Sequence, residues 1–170
     1  MIGPRRRKVR RRCAEVLRDL GLPDPFDVPT LCAELSARRG RPIRRLPVPD
    51  LFDVCGLWIA TDTADLIAYE QHTTAPHQNH IVLHEIGHML CDHYPATLSP
   101  AEQARLLLPK LDPDMIRRVL GRTGYSSVEE QEAEFLASLL AQHVRPARHD
   151  DNDSAADRLR SALENGGNGG

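Results

Sequence analysis

The sequence predicts an α+β domain, mostly helical, with a small antiparallel sheet or hairpin packed against one histidine-rich helix. Three observations carry this expectation. Several segments place apolar residues at helical spacing between capping residues and Gly or Pro stops. Two β-rich runs, "GLWIATD" and "DLIAYE", flank a short polar turn at Thr63. After them comes "NHIVLHEIGHMLCDH", in which four histidines, a glutamate and an aspartate interrupt a run that otherwise reads as buried helix.

A first helix is expected over residues 9–20, stopped by Gly21, and a second from Pro29 to Arg39, stopped by Gly40. Residues 41–54 read as a Pro-rich connector leading to the hairpin. The histidine helix should begin near Ala75 or Pro76, since proline suits a first helical turn. Ser99 to Glu102 spell a capping box that opens another helix, and Asp112 and Pro113 open a short one that Gly121 closes. Ser127 and Glu130 form a further box, starting a helix that runs to about Val144, before Pro146. Residues 1–145 thus form one domain with a basic segment at 1–12, and residues 146–170 a flexible, polar, Gly-rich tail with a short helix around 154–164.

A chain of 170 residues with 41% hydrophobic and 27% charged residues can close one core. Aromatics are only 4%, so that core leans on aliphatic side chains. No apolar run approaches the roughly 20 residues a membrane span needs, and no signal-peptide pattern follows the Arg-rich start, so a cytoplasmic protein is expected. Cys13, Cys32, Cys55 and Cys91 are scattered without a Cys-x-x-Cys pair, which fits reduced thiols. Residues 1–45 carry 13 Arg/Lys against 5 Asp/Glu, and the remainder 9 against 19. Seven of the eight residues in "RRRKVRRR" (5–12) are cationic. The expectation is a frayed, solvated lead-in to the first helix. With no interleaved aromatics for base stacking, nucleic-acid binding through residues 5–12 is not expected.

His84, Glu85 and His88 form H-E-x-x-H. Histidines four apart lie about 40° from each other on a helix and one turn along, so both can reach one zinc ion. Glu85, about 100° round from His84, can reach a water beside that ion as a general base. The opposite face, with Val82, Leu83, Ile86, Met89 and Leu90, is core. Gly87 leaves room for a close approach. His80 is a candidate pocket residue and Asp92 a candidate orienter of His88. His93 points away from the ion if the helix persists.

Catalytic zinc usually takes a third protein ligand. The spacing that would supply a third histidine downstream fails, because Cys91 and Tyr94 occupy the positions it needs. A carboxylate from "SVEEQEAEFLASLLAQHV" is the alternative. With Val128 at 0°, Phe135, Leu136, Leu139 and Leu140 define an apolar stripe in which Glu132 falls at about 40°. A carboxylate there is costly unless paired or metal-bound, which nominates Glu132, with Glu129 as rival; Glu130 and Glu134 project toward water. His143 lies too far along the axis. Tyr125 and Tyr94 are candidate oxyanion stabilisers.

The strand pair, "HIVLHEIGHMLCDH" and "EEQEAEFLASLL" together resemble the ImmA/IrrE family of metallo-endopeptidases over roughly residues 50–145. The resemblance implies a zincin-like fold, zinc held by His84, His88 and Glu132, and Glu85 as base in peptide hydrolysis. It also implies a regulatory role, cleaving a helix-turn-helix repressor carried on a separate chain, and some relatives are toxin components. The sequence departs from the family at Glu134, where Asn is usual, and in the late proline, Pro146. The substrate is expected to lie along the hairpin edge as an added strand. The alternative is a zinc-containing module that sequesters a partner without cleaving it.

Overall fold

The structure, a computed structural model, describes residues 3–51, 56–106, 113–120 and 124–146. In order these form α1 (Pro4–Leu20), α2 (Val28–Arg39), β1 (Ile43–Val48), β2 (Gly56–Ala60), β3 (Asp65–Glu70), α3 (Ala75–Leu90), β4 (Ala96–Thr97), α4 (Pro100–Leu106), α5 (Pro113–Leu120) and α6 (Ser127–Ala141). The α+β expectation therefore holds. Among the described residues no helix is long and apolar enough to cross a membrane. The tail beyond Pro146, Cys55, Asp112 and Gly121 lie outside the described residues.

Local chemistry explains most boundaries. Gly21 and Gly40 end α1 and α2 at φ 57° and 62°, in the left-handed region where a side chain would be strained. Thr74 caps α3 by accepting from the His77 N–H, with proline in the first turn. The Ser99–Glu102 box forms as expected: Ser99 N–H donates to Glu102 at 2.8 Å, and Glu102 N–H to Ser99 Oγ at 3.3 Å.

Three expectations need correction. The Arg-rich stretch is not a frayed lead-in, because α1 is helical from Pro4 and holds residues 5–12 entirely. Its Arg6 and Arg10 lie over the Phe135 ring, 5.3 and 5.7 Å from the centroid, and Arg12 pairs with Asp92 at 3.0 Å. Residues 41–54 are not simply connector, because they contain β1. Its sequence, IRRLPV, hides the strand: exposed Arg44 and Arg45 and an internal proline are tolerated on an edge. The capping box of α6 is Ser126 with Glu129, one residue earlier than expected, and the helix ends at Ala141. Val144 instead bridges to Phe26.

The sheet is consequently mixed, not purely antiparallel, with order β1-β3-β2-β4. The hairpin pairs Trp58 with Ile67 and Ile59 with Leu66; β1 runs parallel to β3, and β4 parallel to β2. Every residue of β2 from Gly56 to Ile59 is buried, as expected for a strand covered on both faces. Trp58 and Ile67 pack with α1, α2, α3 and α6, whereas Leu57, Ile59 and Leu66 pack with Met115, Ile116 and Val119 of α5.

Helices α3 and α6 cross in close contact at Gly87 and Ala133. A Cβ on Gly87 would lie 2.6 Å from the Ala133 carbonyl oxygen and 3.0 Å from its Cα. Glycine is required here because any side chain would press on backbone. The contact sits between the two histidines of the motif.

Candidate metal centre

Two of the four acids of α6, Glu130 and Glu134, meet the histidine face of α3. Glu130 Oε2 lies 3.1 Å from His84 Nε2, Glu130 Oε1 lies 3.7 Å from His88 Nε2, and the two Nε2 atoms are 3.1 Å apart. Among the described residues these three alone form a group able to hold a metal ion, with one donor atom from each within 4.8 Å of the others. Donors at about 2.0–2.1 Å around a tetrahedral zinc stand about 3.3–3.4 Å apart. The donor set could therefore hold a metal ion, with spacings near those a tetrahedral zinc would need.

The expected third donor, Glu132, is elsewhere: its Oε2 lies 3.3 Å from Nε2 of His93. The reason is the small residues. Ala133 and Ala137 are fully buried together with Leu136, Leu139 and Leu140. At 100° per residue from Val128 these alanines fall at about 140° and 180°, which turns the buried arc toward Glu130. A stripe drawn from large side chains alone missed them. Glu134 does not point simply to water: it lies 3.3 Å from His84 Nδ1 and 3.2 Å from His80 Nε2. Glu129 is occupied by its cap, accepting from the Ser126 N–H at 2.8 Å, and those hydrogen bonds lower its pKa.

Glu85 is buried beside β2. A Cβ on Gly56 would fall 2.9 Å from Glu85 Oε1 and 2.5 Å from Ile81 Cγ2, so Gly56 makes the space this carboxyl occupies. Burial first, then the charge of Glu130, raises the Glu85 pKa to about 8, opposed by a backbone hydrogen bond from Trp58. His88 is held neutral: burial first, then His84 and His93, lowers its pKa to about 3.

Asp92 does not orient His88. It adopts φ 60°, faces solvent and pairs with Arg12. Its N–H bonds to the Met89 carbonyl and that of His93 to the His88 carbonyl, the paired bonds of a Schellman turn. The helix therefore does not persist to His93, and the turn folds His93 back so that its Nδ1 lies 2.9 Å from His88 Nδ1. Tyr125 stacks on the His88 ring at 3.6 Å and 15°, and its buried hydroxyl has no hydrogen-bond partner among the described residues. Burial first, then Glu85 and Glu130, raises the Tyr125 pKa. Tyr94 is exposed, and His143 pairs with Asp24 at 3.0 Å, apart from the site.

His84 and Glu130 line a cavity of about 580 Å³ whose other wall carries Arg5, Arg6 and Val9 of α1. Cys13, Cys32 and Cys91 are free thiols whose pKa burial pushes up to about 11, which leaves them unreactive packing groups. Comparison with protein-family models, curated proteins and solved structures finds no match for the chain.

Proposed function

We propose that this chain is a zinc-dependent metallo-endopeptidase of ImmA/IrrE type, a regulatory hydrolase acting on a protein partner. The observation that carries the reading is the convergence of His84, His88 and Glu130 into a donor set of zinc dimensions, with Glu85 buried next to His84 on the same helix. Glu130 takes the ligand role the family resemblance had implied for Glu132. When bound, zinc would supply a Lewis acid for a peptide carbonyl and acidify a water.

The chain's own groups have distinct tasks in this reading. Glu85 takes a proton from the attacking water and returns it to the leaving amine. Its raised pKa favours the protonated form, so it is ionised and free to take a proton only when positive charge stands close by. The unpartnered Tyr125 hydroxyl is a donor for the substrate oxygen on which negative charge develops. Substrate backbone fits along β2. Strand β4 pairs only with Ile59 and Ala60, so among the described residues Gly56–Trp58 have no strand partner on that side, and they border Glu85. The partner in this proposal is a helix-turn-helix repressor on a separate chain, met in the cytoplasm.

Elemental analysis of purified protein tests the centre. Near-stoichiometric zinc is expected in the wild type, and depletion in His84→Ala and Glu130→Ala; retention in both variants would overturn it. Glu85→Gln then separates hydrolysis from the second reading, a non-catalytic zinc-containing module that sequesters its partner. With zinc and fold intact, loss of partner cleavage and of regulation supports the hydrolase. Regulation that survives without Glu85 supports the module.

A further inference from the structure

We propose that Glu132 and His93 are positioning residues that fix the tautomer of His88, aiming its Nε2 lone pair at Glu130 and His84. The inference deepens the metal-centre reading and rests on it for its purpose, though its geometry stands alone. It follows from the direction in which hydrogen bonds can run.

An ionised carboxylate only accepts, so at the Glu132 contact of 3.3 Å the donor is His93 Nε2–H. With His93 in its neutral form, a single N–H at Nε2 leaves its Nδ1 as a lone pair. That lone pair faces His88 Nδ1 at 2.9 Å, and one of the two nitrogens must donate. The donor is therefore His88 Nδ1–H, and the second neutral ring has its own lone pair on Nε2. Polarity set by one acid is thus passed through two rings to the atom 3.1 Å from His84 Nε2.

The surroundings keep this chain from being scrambled. His88 and His93 are 1% and 8% exposed, so water does not compete for their ring nitrogens. Tyr125 fixes the plane of the His88 ring by stacking, and the turn at Asp92 fixes the backbone of His93. In the same proposal His84 is set by a shorter route, its Nδ1–H donating to Glu134 at 3.3 Å and its Nε2 left to face Glu130 at 3.1 Å. A carboxylate behind a ligating histidine is the usual way of fixing its orientation and basicity. Here α6 supplies one such acid to each histidine, directly for His84 and through His93 for His88.

The tautomer can be read without any metal. In metal-free wild-type protein with ¹⁵N-labelled histidine, long-range ¹H–¹⁵N correlation spectra should assign His88 as the Nδ1–H form and His93 as Nε2–H. The opposite assignment for His88 would overturn the proposal. For the consequence, zinc affinity is measured by chelator competition in His93→Leu, Glu132→Gln and His93→Asn. The first two should bind zinc about 10–100-fold more weakly. His93→Asn, whose amide oxygen can stand where Nδ1 stood, should recover most of the loss, which a merely structural role would not produce. Wild-type affinity in His93→Leu would also overturn the proposal. If the wild type binds no zinc, the metal reading fails, while the spectra still decide the tautomer.

Discussion

Two polar clusters, one buried and one opening to solvent at Glu130, are built on opposite principles in this small domain. Asp65, at the start of β3, is 1% exposed and fully answered: Arg39 and Arg41 reach one oxygen at 3.0 and 3.2 Å, and the Trp58 indole N–H donates to the other at 3.1 Å. Cations and donors there outnumber the acid, and nothing is left to bind. At His84, His88 and Glu130 the balance is reversed. In the proposed arrangement outer carboxylates draw the ring protons away, directly for His84 and by the relay for His88. Lone pairs and a carboxylate then face one another at 3.1–3.7 Å. Three acceptors at that range repel unless a cation or a proton joins them. The difference teaches that burial of polar groups alone does not mark a site; a shortage of positive charge does.

The largest effect expected from this contrast is at the satisfied cluster. Asp65→Ala leaves the Trp58 indole N–H unanswered and takes the carboxylate from Arg39 and Arg41, and should cost about 3–5 kcal/mol in urea denaturation while the folded fraction keeps its zinc stoichiometry. Zinc lost along with Asp65 would break the contrast.

A smaller effect, a few kcal/mol, concerns pH in the metal-free protein. His88, with a pKa lowered from 6.5 to about 3, gains a proton on unfolding between those values, so its contribution makes stability rise with pH there. Glu85, raised from 4.5 to about 8, loses a proton on unfolding in that range, so its contribution makes stability fall with pH there. The two slopes cancel between about 4.5 and 6.5, leaving a plateau. Stability then declines toward pH 8, where Glu85 ionises in the folded chain. In Glu85→Gln the plateau should become a rise and the decline above pH 6.5 should vanish, as followed by denaturation across that range.

The smallest effect sharpens the role of the helix crossing. Gly87→Ala should cost about 1–3 kcal/mol, because its Cβ meets Ala133 backbone and not a yielding side chain. The same wedge pushes α6 from α3, so zinc affinity should fall more steeply than stability. Equal zinc affinity in this variant would show that the crossing does not set the donor spacing.

Much of the architecture was legible because it is written in local chemistry. Gly21, Gly40, Pro76 and the Ser99–Glu102 box each mark a helix end within a few residues, and the two β-rich runs pair as a hairpin. Strand β1 was hidden because an edge strand can carry arginines and proline, so its pairing depends on β3 and not on its own composition. His84, Glu85 and His88 were readable from one helix. The third donor was not, because it depends on how two helices rotate against each other. The stretch "SSVEE" contains two overlapping capping boxes, Ser126 with Glu129 and Ser127 with Glu130. Folding uses the first, which occupies Glu129 and releases Glu130 for the histidines. No periodicity argument distinguishes the two.

The left-handed residue at Asp92 has a bearing on how kindred chains could be found. Its reversal gives H-E-x-x-H a companion histidine five places after the second one, a separation that straight-helix templates discard. A query written as H-E-x-x-H, three free positions, a turn-tolerant Asp, Asn or Gly, then His, followed downstream by acids at alternate positions, would retrieve homologues by their buried wiring when overall similarity has decayed.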